Sequence, residues 1–124
     1  MLKWAYLAIG GIAGVFSRYL LAGAIYKKLG TGFPSGTLIV NLSGCLLIGI
    51  FNSWAEEKLF LGPNGRLLLM TGFCGAYTTF STLMLETSNL AGDGEIMLAL
   101  GNVVISAILG FILFRAGAWI GKVI

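Results

Sequence analysis

Four apolar stretches, each long enough to cross a bilayer, occupy most of this 124-residue chain. They run from about Trp4 to Tyr26, Gly36 to Ala55, Arg66 to Asn89 and Ile96 to Ile120. A hydrocarbon core needs about 20 mostly apolar residues per helix. Lipid offers no hydrogen-bond partners, so a spanning segment must satisfy its own backbone, and a helix does this within one segment. Charged residues make up 10% of the chain and the mean hydropathy is +0.92. Soluble domains carry roughly 25% charge, so these residues suit lipid rather than water. The expected fold class is an all-α membrane protein with four transmembrane helices, in one domain over residues 1–124. The first stretch opens like a signal peptide, but it is too long and its pattern recurs three more times, so it reads as a retained span.

The breaks between spans have turn chemistry. Lys27 to Pro34 ends the first span, and Pro34 suits a helix start because its missing N–H is not needed there. Glu56-Glu57-Lys58 and Gly62-Pro63-Asn64-Gly65 separate the second and third spans; Ala91 to Glu95 separates the third and fourth. An even number of spans puts both termini on one side. Lys3, Lys58, Arg66, Arg115 and Lys122 fall there, against Lys27 and Lys28 on the other. That excess favours cytoplasmic termini, yet it is small enough to permit insertion in both orientations.

Several function classes are excluded. No Lys/Arg-rich run supports nucleic-acid binding, and the net charge of +3 reads as loop anchoring to anionic lipid. There is no histidine, so no Ser/His/Asp or Cys/His arrangement exists, and no carboxylate pair lies inside a span. The chain is not expected to be an enzyme. Cys45 and Cys74 lack any metal or disulfide spacing motif and read as small packing residues.

The polar residues inside the spans carry the functional signal. Gly72 to Glu86 reads GFCGAYTTFSTLMLE, with Tyr77, Thr78, Thr79, Ser81 and Thr82 around Phe80. Each hydroxyl alone could bond back to its own helix, but so many together, just after Gly72 and Gly75, predict a local break in the third helix. A break frees carbonyls for a cation and N–H groups for an anion. Phe80 is either ordinary packing or a ring whose electropositive edge meets an anion. Arg18 and Asn41 are costly in lipid: Arg18 is either a charge at a watery vestibule or an arginine snorkelling to a membrane face, and Asn41 either lines a polar path as a donor or makes an interhelical hydrogen bond. Asn102 and Ser106 lie four apart and share a face of the fourth span. Glu86 is the one carboxylate within a span, near its end. Glycines at helical spacing, Gly10 with Gly14 and Gly72 with Gly75, suit close helix packing, whereas Gly44 and Gly49 only roughly share a face.

Gly10 to Tyr19, Pro34 to Asn41, and Gly72 to Thr82 with Glu86 together resemble the signatures of the CrcB/Fluc fluoride channels, in order and across all four spans. The resemblance implies passive fluoride export through the inner (plasma) membrane by an antiparallel, dual-topology homodimer with two pores. It also implies a structural sodium ion at the dimer centre, held by the backbone carbonyls of Gly75 and Thr78 of each subunit. Asn41 would be a pore donor and Phe80 part of an aromatic box. Ser81, Thr82 and Glu86 would form a polar track, and Arg18 would line a vestibule. Family members commonly carry TTFSTF where this chain reads TTFSTL, so Leu83 leaves the paired box incomplete. Gly110 has no hydroxyl, so any polar contribution from the fourth span falls to Ser106 or Asn102. The competing readings are a small proton-coupled exporter of cationic drugs and a non-transporting assembly subunit. The first needs a membrane-embedded carboxylate in a substrate path, and the second has no flux to lose when Asn41 or Phe80 is changed.

Overall fold

The computed structural model describes residues 1–124 and contains helices and no strands. Helices α1 (Leu2–Leu29), α2 (Ser35–Glu56), α3 (Pro63–Gly92) and α4 (Ile96–Val123) are each long and apolar enough to cross a membrane. Every helix starts and ends within three residues of its expected span. One expected loop is corrected: Pro63, Asn64 and Gly65 belong to the first turn of α3, with Pro63 at the first helical position. The proline's fixed φ is already helical and its absent N–H would have had no partner.

Helix α3 is interrupted as expected, among the hydroxyls that follow Gly72 and Gly75, while the glycines themselves stay helical. Its first half passes through Pro63–Gly65, Arg66–Cys74 and Gly75–Tyr77; its second half is Phe80–Gly92. Gly75 keeps helical angles (φ −61°, ψ −35°), and Gly72 lies within the helix. The chain leaves the helix at Thr78 (φ −89°, ψ 155°) and Thr79 (φ −152°, ψ 113°), two consecutive extended residues. The segment Arg66–Cys74 is wound as a wider π-helix, in which the Gly75 N–H reaches back to the Met70 carbonyl. Nothing in the apolar sequence of Arg66 to Cys74 accounts for the wider winding.

Glycines set the packing. Gly10 and Gly14 of α1 lie directly on the backbone of α3: an added Cβ at Gly10 would meet the Leu68 carbonyl, and one at Gly14 the Phe73 carbonyl. Gly44 and Gly49 face different helices. Gly44 makes room for Tyr77 and Thr78 at the break, while Gly49 packs on Phe114 and Ala118 of α4. Gly117 and Gly121 of α4 return the contact against Leu46 and Ile50 of α2. Ser53 adds a hydrogen bond across this pair, donating to the Ala118 carbonyl at 2.6 Å. Ion pairs Arg66–Glu56 (2.6 Å) and Lys122–Glu57 (3.0 Å) lie at the end of the bundle that holds both termini.

Only 20 of the 124 residues are buried. A single subunit therefore has little core of its own. Ile12, Phe16 and Leu20 of α1 and Phe111 and Ile112 of α4 are exposed, a surface that suits hydrocarbon or another helix and not water.

Candidate functional site

The break in α3 is held by one side chain from α2. Asn41 Oδ1 accepts from the Thr79 amide at 2.8 Å, and Asn41 Nδ2 donates to the Thr79 carbonyl at 3.1 Å. This two-point clasp satisfies both backbone groups of Thr79 without helix. The second half of α3 restarts with its own cap, in which Thr79 Oγ1 accepts from the Thr82 amide at 3.3 Å. Threonine suits that position because its short side chain reaches the amide three residues on.

The hydroxyls around Phe80 divide their roles. Thr78 Oγ1 donates to the Cys74 carbonyl at 2.9 Å, the inexpensive back-bond. Thr79 also donates to Thr82 Oγ1 at 3.0 Å. Ser81 is exposed and lies 3.4 Å from Thr79 Oγ1. Tyr77, which sequence reasoning left without a role, anchors the break from beneath. It is buried, its hydroxyl lies 2.8 Å from Ser43 Oγ, and its ring stacks on Phe73 with centroids 5.4 Å apart.

Diverting the Thr79 and Thr82 amides leaves the carbonyls of Gly75 and Thr78 without the donors that a continuous helix would provide. Gly75 is also exposed, and an added Cβ there would find nothing nearer than the Met70 carbonyl at 3.9 Å. Its glycine is thus not needed for packing within the subunit. Free backbone oxygens at an unwound turn match the donor set that membrane proteins offer to sodium. The carbonyls present are of the kind that would suit such an ion.

Two cavities meet at the break. The first, about 310 Å³, is lined among others by Asn41, Thr79, Phe80, Leu83 and Ser106, and no charged residue borders it. Phe80 is 73% exposed, so its ring stands at the open edge, while Leu83 is buried in the wall. The second cavity, about 460 Å³, is lined by Arg18, Tyr26, Thr37, Thr79 and Thr82 among others. Thr79 borders both.

Glu86 sits beyond the second cavity. Thr37 Oγ1 donates to Glu86 Oε1 at 2.6 Å, and the Tyr26 hydroxyl lies 3.5 Å from the same oxygen. The structure thus gathers Asn41, Phe80, Leu83 and Ser106 at one groove and Arg18 and Thr82 at the other. Glu86 is tied to the second group through Thr37, and Ser81 lines neither cavity. Asn102 and Ser106 separate: Ser106 lines the groove, whereas Asn102 is 1% exposed and turns to Thr87. Thr37 and Tyr26 were not singled out from sequence. Their signal was weak: a threonine and a tyrosine near helix ends are common interfacial residues.

These features define a small multi-pass membrane protein built around an interrupted helix, with an uncharged groove on one side of the break and a cavity that holds Arg18 on the other. The chain belongs to the family described as CrcB-like protein, Camphor Resistance (CrcB), whose model matches residues 5–118. A protein of Maridesulfovibrio salexigens described as the fluoride-specific ion channel FluC is 44% identical over 124 residues, covering 100% of this chain and 98% of its own. FluC of Solidesulfovibrio magneticus is 40% identical over 122 residues, 98% of each chain. FluC of Solibacter usitatus is 40% identical over 123 residues, 99% of this chain and 98% of its own.

Proposed function

We propose that this protein is a passive fluoride-selective channel of the inner membrane, and not an enzyme. It works as an antiparallel, dual-topology homodimer of one four-span domain, with two pores. The observation that carries the reading is the clasp of Asn41 on Thr79, which holds a helix break open beside an uncharged, mostly apolar groove. The full-length likeness to proteins described as fluoride-specific channels supports the choice of ion.

The chemistry fits a small anion. Fluoride holds its water tightly, so a selective path must replace that water with close donors. An amide nitrogen carries two hydrogens. Asn41 uses one on Thr79, and the other is free to serve the groove. Ser106 lines the groove, and Phe80 offers the positive edge of its ring. No carboxylate lines this groove to repel the anion. Arg18, with Thr82 nearby, gives the second cavity the positive potential of a vestibule that gathers anions. Ser81 and Phe80, exposed on one subunit, gain their function against the second copy. Leu83 adds bulk to the wall but no polar edge. A structural sodium ion held by the Gly75 and Thr78 carbonyls of both copies would supply fixed positive charge at the centre and tie the subunits together.

The test is fluoride efflux from liposomes holding purified protein, with valinomycin carrying the counter-charge. Rapid fluoride efflux with no chloride efflux is expected. Preparing the protein without sodium is expected to lower efflux and loosen the dimer. A folded dimer that releases no fluoride would overturn the reading; unchanged efflux and assembly without sodium would remove the ion from it.

A further inference from the structure

We propose that Asn41 is also the positioning residue of the cation site, because the peptide unit whose N–H it holds carries the Thr78 carbonyl on its opposite side. The proposal rests on the cation reading given above and concerns what aims its oxygens.

The Thr78 carbonyl and the Thr79 N–H belong to one planar peptide unit, and in a trans peptide they point in opposite directions. The chain has no cis peptide bond. Asn41 Oδ1 accepts from that N–H at 2.8 Å. The Thr78 carbonyl is therefore turned away from the Asn41 side chain. The same bond frees the second carbonyl. In a continuous helix the Thr79 amide would go to the Gly75 carbonyl, and the Thr82 amide to that of Thr78. Asn41 takes the first amide, and Thr79 Oγ1 takes the second at 3.3 Å.

The clasp also resists a flip of the unit. Turned over, it would set the Thr78 oxygen against Asn41 Oδ1, two acceptors with no hydrogen between them. Rotating the Asn41 amide to offer Nδ2 gives no relief, because Oδ1 would then face the Thr79 carbonyl, which now accepts from Nδ2 at 3.1 Å. No other side chain makes this choice. Thr78 Oγ1 is spent on the Cys74 carbonyl, and the Tyr77 hydroxyl lies on Ser43. One peptide unit thus meets the side chain of the groove at its N–H and a cation at its oxygen.

The test follows dimer assembly of purified protein by size exclusion with light scattering while sodium replaces N-methylglucamine. The readout is the sodium concentration that gives half-maximal dimer. Asn41→Leu is expected to raise it by about tenfold, since the Thr79 amide can then return to the Gly75 carbonyl. Asn41→Asp keeps an acceptor for that amide, so its half-point should be no higher than that of wild type. Ser53→Ala removes the bond of α2 to the Ala118 carbonyl, remote from the break, and should stay within about twofold of wild type. An Asn41→Leu half-point equal to wild type, an Asn41→Asp half-point as high as that of Asn41→Leu, or an equal rise in Ser53→Ala would overturn the positioning role. Wild-type assembly that ignores sodium would instead overturn the cation reading, and the proposal with it. Should Asn41→Leu fail to fold, an experimental structure of the wild type in sodium decides: a cation on the Thr78 carbonyl with the Thr79 N–H on Asn41 supports the proposal, and a cation whose shell lacks that carbonyl contradicts it.

Discussion

The Asn41→Leu protein is expected to lose about 100-fold of its fluoride efflux while remaining a folded membrane protein. Asn41 satisfies both backbone groups of Thr79. Leucine has a similar size and neither hydrogen-bonding group. An unsatisfied buried polar group costs about 1–3 kcal/mol, and here there are two. The chain has an inexpensive alternative: the Thr79 amide returns to the Gly75 carbonyl and the helix closes through the break. A bias of ~3 kcal/mol toward the closed helix corresponds to about a 100-fold fall in the open form. The same closure takes the Gly75 carbonyl away from the proposed cation site. Asn41→Asp separates the contributions. It keeps an acceptor for the Thr79 amide but loses the donor and sets a negative charge beside the anion path. It should therefore also lose efflux, yet keep the break. Efflux of the two variants reads these effects, and Asn41→Leu protein that releases fluoride at the wild-type rate would refute the role of the clasp.

Gly117→Val is expected to prevent recovery of folded protein. A Cβ at Gly117 would meet the Leu46 carbonyl oxygen, with the Leu46 carbonyl carbon at 3.0 Å and the Ile50 nitrogen at 3.2 Å. All three are backbone atoms, so no side-chain rotation relieves the clash. Helices α2 and α4 would have to separate, also breaking the bond from Ser53 to Ala118 and the opposing contact of Gly49 with Phe114. Overpacking by a methyl or two usually costs about 1–3 kcal/mol. Valine against backbone on both sides of a helix crossing exceeds that range, because association in lipid depends on close packing. Gly101→Ala is the control, since nothing lies within 4 Å of its added Cβ. Size-exclusion elution and thermal melting should show a monodisperse, wild-type-like Gly101→Ala protein and aggregated Gly117→Val. A Gly117→Val protein that elutes and melts like wild type would contradict the packing account.

Spans and their approximate ends were legible because lipid reads only length and apolarity, and both are local properties of sequence. The existence of a break in α3 was legible from the crowd of hydroxyls after Cys74. Its position was not. Local propensity gave only a region, the hydroxyls just after Gly72 and Gly75; both glycines remain helical, and the chain opens at Thr78 and Thr79. What decides this is Asn41, 38 residues away in sequence, whose amide replaces the helical partners of Thr79. No local pattern encodes such a contact. The glycines show the same limit. Spacing alone suggested that Gly72 and Gly75 pack alike, yet Gly72 lies against Gly10 and Gly75 faces open space. Asn102 and Ser106 share a helical face, and only the crossing of α3 over α4 determines that one is sealed and the other lines the groove.

The most direct measurement is the reversal potential of purified protein in a planar bilayer with fluoride on one side and chloride on the other. The account predicts a current that reverses near the equilibrium potential of fluoride, with no dependence on a proton gradient. A reversal potential near zero, equal permeation of chloride, or a current that follows the proton gradient would contradict it.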